Sequence, residues 1–65
     1  MSVRKALIDY RGKRSQETMA ELFGVSQQTW SAWEVGRATP PAKTMQKIAK
    51  MSRKSIKTLF PDVFN

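Results

Sequence analysis

From Ser15 to Gly36 the chain reads SQETMAELFGVSQQTWSAWEVG, and no other stretch restricts its fold as much. On helical spacing Met19, Ala20 and Phe23 share one face, and Trp30 and Trp33 share another. Both faces need a common core, against which two short helices pack at a steep angle. Ala20 is small where those helices would approach closest. Gly24 stands where the first must end in a left-handed conformation, which glycine adopts at least cost. Ser26 then caps the second by accepting from the backbone N–H of Thr29 or a neighbour. The expectation is two helices and a tight turn over about residues 16–35.

Such a unit is a helix-turn-helix, and the outward face of its second helix is informative. Gln27, Gln28, Thr29, Ser31 and Ala32 lie away from the Trp30/Trp33 side. They are small or amide side chains, not the Lys/Glu mixture of an ordinary solvated face. A Gln amide presents a donor and an acceptor together, which matches the N6/N7 edge of adenine in the major groove. The plain alternative is that these are polar surface residues.

Charge distribution points the same way. Twelve Lys/Arg against five Asp/Glu leave a net charge of +7. That balance favours a polyanionic partner, nucleic acid first and an anionic membrane surface second. Between Gln16 and Gly36 there is no Lys or Arg, only Glu17, Glu21 and Glu34. The cations flank it: Arg4, Lys5, Arg11, Lys13 and Arg14 before, and Arg37, Lys43, Lys47, Lys50, Arg53, Lys54 and Lys57 after. A neutral reading helix between basic shoulders suits base contacts within a groove and phosphate contacts beside it.

Residues Gln16, Ala20, Gly24, Val25, Ser26, Thr29, Trp33, Glu34, Gly36 and Pro40 match the run Q-x-x-x-A-x-x-x-G-V-S-x-x-T-x-x-x-W-E-x-G-x-x-x-P. In this the chain resembles the Cro/repressor-type (XRE-like) helix-turn-helix family, with a looser match continuing to Leu59–Pro61. The resemblance implies an all-α, compact five-helix domain of the lambda-repressor type, and at 65 residues a single domain over 1–65 is expected. It also implies a phosphate held by Gln16 at its helix N-terminus, where free N–H groups and the helix dipole favour an anion. Two positions depart from the family. An Arg seven residues before Gln16 usually pairs with the Glu closing the recognition helix, but here Asp9 stands there and Arg11 is the available substitute. Trp30 replaces the usual Ile or Val; it either fills the core, if its indole N–H finds an acceptor, or stacks on a base or sugar.

Along the chain, Ser2 is expected to cap a first helix over about Val3 to Arg11, with Val3, Leu7 and Tyr10 inward and Gly12 ending it. Ser15 caps the second helix. Gly36 ends the recognition helix, and Thr39 caps a fourth with Pro40 at its first position. That helix, about Pro41 to Met51, turns Ala42, Met45, Ile48 and Ala49 inward. Ser55 caps a last helix, Ile56 to Phe60. The candidate base contacts are Gln27, Gln28, Ser31 and Ala32. The candidate phosphate contacts are Gln16, Thr29, Arg37, Thr39, Lys43 and Arg14. Phe60, Val63 and Phe64 form an apolar tail that either folds back on the core or meets a second copy, and dimer contact is the preferred reading.

The function expected is a sequence-specific regulator of transcription, a repressor binding a palindromic double-stranded DNA operator as a weak homodimer. An enzyme is not expected: there is no His or Cys, no carboxylate pair at acid/base spacing and no phosphate-cradling glycine loop. Neither a metal, a cofactor nor a small-molecule effector is expected. No apolar run approaches membrane-spanning length, and a cytoplasmic protein is expected. The rival is a protein-interaction module on the same fold, antitoxin-like, whose tail covers another protein. RNA binding lacks its usual marks.

Overall fold

The computed structural model describes residues 3–64, and among them the fold is all helical: α1 (Lys5–Arg11), α2 (Gln16–Leu22), α3 (Gln27–Glu34), α4 (Ala42–Ser52) and α5 (Ile56–Leu59). Three of the helices start by one local device. Ser15, Ser26 and Ser55 accept from the backbone N–H groups of Thr18, Thr29 and Thr58, and each serine hydroxyl also bonds the threonine hydroxyl. Each cap contributes about 1 kcal/mol by satisfying a donor that the helix leaves orphaned.

α2 and α3 also end alike. Gly24 (φ 67) and Gly36 (φ 79) take the left-handed conformation. Behind them Val25 N–H reaches back to the Ala20 carbonyl and Arg37 N–H to that of Ala32, both at 2.9 Å. The six-to-one bond closes each helix and reverses the chain sharply. It sets α3 across α2, and these two helices make the most extensive pairing in the fold.

The core gathers Leu7, Met19, Ala20, Trp30, Trp33, Met45, Ile48, Leu59 and Phe60. Trp30 is its centre. Its ring stacks on Phe23 at 5.5 Å and meets Trp33 edge-on at 5.7 Å. Fully burying an indole removes about 150–250 Å² from water, at most about 4–6 kcal/mol in so small a domain. With Trp30 fully buried, stacking on a base is excluded.

Several sequence expectations are corrected. Ser2 lies outside the described residues. The N-cap of α1 is Arg4, without a side-chain cap, and Val3 is 54% exposed instead of inward. α4 starts one residue later than expected, behind Pro41. Thr39 does not cap it and Pro40 is not its first residue, because the N-cap position falls on Pro41; the Thr39 hydroxyl accepts from Arg4 instead. Ala42 is exposed. α5 stops at Leu59, and Phe60 is fully buried in the chain's own core, so it is not offered to a second copy. α4 ends on Arg53 in the left-handed conformation (φ 60), with no glycine to mark the place.

Candidate nucleic-acid interface

Glu34 organises the site. It closes α3, is only 2% exposed, and its carboxylate accepts four hydrogen bonds from three residues on three helices. Oε2 takes the Arg11 Nε–H and the Trp30 indole N–H, both at 2.6 Å. Oε1 takes Arg11 Nη2 at 3.2 Å and Gln16 Nε2 at 2.9 Å. Arg11 therefore does replace the cation missing at position 9, and Asp9 stays exposed. Burial pushes the Glu34 carboxyl up, but the bonds from Arg11, Gln16 and Trp30 and the Arg11 charge outweigh it, leaving it below its ordinary value of 4.5.

That anion fixes amide orientations beyond it. A carboxylate only accepts, so Gln16 must turn its nitrogen toward Glu34 and its oxygen away. The oxygen then accepts from Gln27 Nε2 at 3.4 Å. A chain of hydrogen bonds thus runs from the buried Arg11–Glu34 pair, through the start of α2, to the first residue of α3. Gln27 keeps its carbonyl oxygen and second amide hydrogen for a ligand. Gln27 and Gln28 are exposed; Thr29, Ser31 and Ala32 are half-buried. Thr29 shares its hydroxyl with Ser26 at 2.9 Å.

After α3, Arg37 and Thr39 in the loop and Lys43 in the first turn of α4 are exposed. Arg14 is exposed too, but it is partly engaged. Its Nη2 donates to the Tyr10 carbonyl at 2.6 Å, its Nε to that of Arg11 at 3.2 Å, and its guanidinium lies 5.1 Å from the Tyr10 ring centre. It caps the C-terminal end of α1.

Sequence reasoning placed Arg4 with the basic shoulder. Its side chain is in fact 1% exposed, and all five guanidinium N–H groups have partners. Nε and Nη2 fork onto the two Asp62 oxygens at 3.0 and 2.9 Å. Nη1 donates to the carbonyls of Trp33 at 2.9 Å and Ala38 at 2.7 Å, and Nη2 to Thr39 Oγ1 at 2.9 Å. The plane also lies 5.0 Å from the Phe60 ring centre. The Arg4 bonds and charge hold the Asp62 carboxyl below its ordinary 3.8, against a smaller opposing effect of burial. The one hint in the sequence is an acid within the apolar tail FPDVF.

With Arg4 and Arg11 paired internally, the remaining Lys and Arg side chains are all exposed. The described residues contain no group of His, Cys, Asp and Glu able to hold a metal ion. None of the described helices is long and apolar enough to cross a membrane.

A family model described as Helix-turn-helix matches residues 3–59, which takes in all five helices. Searches of curated proteins and of solved structures returned no match. The match, the two helices locked by Gly24 and the uncharged face of α3 agree: the chain belongs to the helix-turn-helix family, as a DNA-binding transcriptional regulator of the XRE type.

Proposed function

We propose that this regulator is a repressor that binds a palindromic operator as a weak dimer and excludes polymerase from the promoter. The observation that carries the reading is the Glu34–Gln16–Gln27 relay. It orients one exposed amide at the start of a helix whose outward face carries no charge, as recognition of an adenine edge requires. Gln28 lies beside it, and Ser31 and Ala32 supply small groups for close approach to base edges and thymine methyls. Gln16 at the start of α2, with Thr29 nearby, holds one phosphate. Arg37, Thr39 and Lys43 hold another, and Arg14 adds positive charge near the first. The Thr39 hydroxyl accepts from Arg4 and keeps its own proton for a phosphate oxygen.

The dimer reading rests on two exposed apolar side chains of the tail, Val63 (41% exposed) and Phe64 (42%). Such a patch is small, in keeping with an association completed on DNA. A two-fold pair places its recognition helices one helical turn apart.

Selection from a random duplex library at two salt concentrations tests both parts. A palindrome with half-sites about ten base pairs apart is expected. Gln27→Ala is expected to cost about 1–3 kcal/mol on that site and much less on random DNA. Steep salt dependence without an enriched sequence would refute specific recognition, and an enriched single half-site would refute the dimer.

A further inference from the structure

We infer that Arg4 and Asp62 are positioning residues for the phosphate contacts of the loop between α3 and α4, although neither touches DNA. The inference rests on the reading above, in which Arg37, Thr39 and Lys43 form a phosphate clamp.

Pro40 is buried and anchors the end of the loop before α4, but the three residues ahead of it stand free of the core. Arg37, Ala38 and Thr39 are exposed, and their backbone ties back only through Arg37 and Ala38 N–H to the Ala32 carbonyl, at 2.9 and 3.3 Å. The Arg4 guanidinium supplies the other side. In one plane it grips the Trp33 carbonyl at the end of α3, the Ala38 carbonyl and the Thr39 hydroxyl. Arg4 N–H also donates to the Glu34 carbonyl at 2.8 Å, so its backbone is anchored to the recognition helix. The loop is therefore indexed directly to the helix that reads bases.

Asp62 makes this arrangement affordable. A buried guanidinium without a counter-charge would turn toward water. The fork onto Asp62 neutralises it and fixes its plane by two parallel bonds. With every donor satisfied inside the protein, Arg4 has none left for a phosphate. Its charge sits among the chain's cations but serves alignment.

The test compares Asp62→Asn and Arg4→Lys with the parent on operator and on random duplex between 50 and 200 mM salt, at a temperature where circular dichroism and a stoichiometric titration show fully active protein. Asn keeps the shape of Asp62 but loses the charge. A lysine ammonium, with three donors, cannot span these partners. The expected result is weaker binding on both DNAs, with the operator-to-random ratio preserved. The salt slope should fall by about one contact, so that the affinity ratio between the two salts shrinks about 3.5-fold. A merely destabilising change would lower the active fraction and leave the slope as it was. If Arg4→Lys fails to fold, Asp62→Asn decides. Unchanged slopes in the folded variants, or a loss confined to the operator, would overturn the inference. Arg37→Ala and Lys43→Ala separate the two levels. If they leave the slope unchanged, the clamp reading falls and this inference with it; if they lower it while Asp62→Asn does not, only the positioning role falls.

Discussion

Replacing Glu34 by Gln changes no volume, yet it strikes the point where α1, α2 and α3 are tied together. The carboxylate accepts two donors on each oxygen. An amide must therefore present its NH2 to two donors in either orientation. The Oε2 side is the worse choice, because the fully buried Trp30 indole N–H would lose its acceptor. On the Oε1 side Gln16 is able to turn its own amide and offer an oxygen, which leaves Arg11 Nη2 without that bond. Breaking a buried ion pair typically costs about 3–5 kcal/mol. Arg11 remains 23% exposed and is partly rehydrated, so the lower end, about 3 kcal/mol, applies. A domain of this length has about 3–10 kcal/mol in total, and its melting temperature falls about 4–8 °C per kcal/mol. Glu34→Gln is thus expected to melt about 12–24 °C below the parent at pH 7, followed by tryptophan emission and circular dichroism. It carries a second consequence. When Gln16 turns, its NH2 faces Gln27, whose amide must turn too, reversing the donor and acceptor offered to a base. At a temperature where the variant is folded, operator preference over random DNA should fall by about the 1–3 kcal/mol of one bidentate contact. A melting point within about 3 °C of the parent would refute the energetic reasoning. Full discrimination by the folded variant would refute the relay.

Two further outcomes follow from named groups. Glu34 and Asp62 both titrate below their ordinary values of 4.5 and 3.8 in the folded protein, so their contribution is complete above those values and is lost as pH falls through the lower folded-state ones. Melting temperature should be level from pH 7 to about 5 and drop below about 4.5, with a shallower drop in Glu34→Gln; parallel profiles would show that Glu34 is not responsible. Arg53 holds a left-handed backbone at the end of α4, which costs a side-chain-bearing residue about 1–2 kcal/mol, against about 0.5–1 for the unfolded freedom of glycine. Arg53→Gly should therefore raise stability by about 0.5–1 kcal/mol in urea unfolding, and a loss would show that the Arg53 side chain has a stabilising role of its own.

What depends on neighbours in the chain is legible in the sequence. The serine caps three residues ahead of a threonine, the left-handed Gly24 and Gly36, and the spacing that turns Met19, Ala20, Trp30 and Trp33 inward are all local. The candidate interface was legible to the same extent, as a stretch without cations whose outward side chains are amides and small groups. Where no local signal exists, boundaries drifted: Val3 faces water, and α4 ends on an arginine.

The sequence by itself therefore determined the helix-turn-helix and the face it presents, because capping and periodicity act within a few residues. Only the tertiary structure decided which charges meet. Arg4 and Asp62 lie 58 positions apart and nothing near either in the chain names the other; Arg11 and Glu34 lie 23 apart, and only the family resemblance offered Arg11 as the partner. Phe60 was decided in the same way, as core and not as a surface for a second copy. Pairing over such separations is set by how the helices stack, and the cost of burying a charge then leaves only paired arrangements standing.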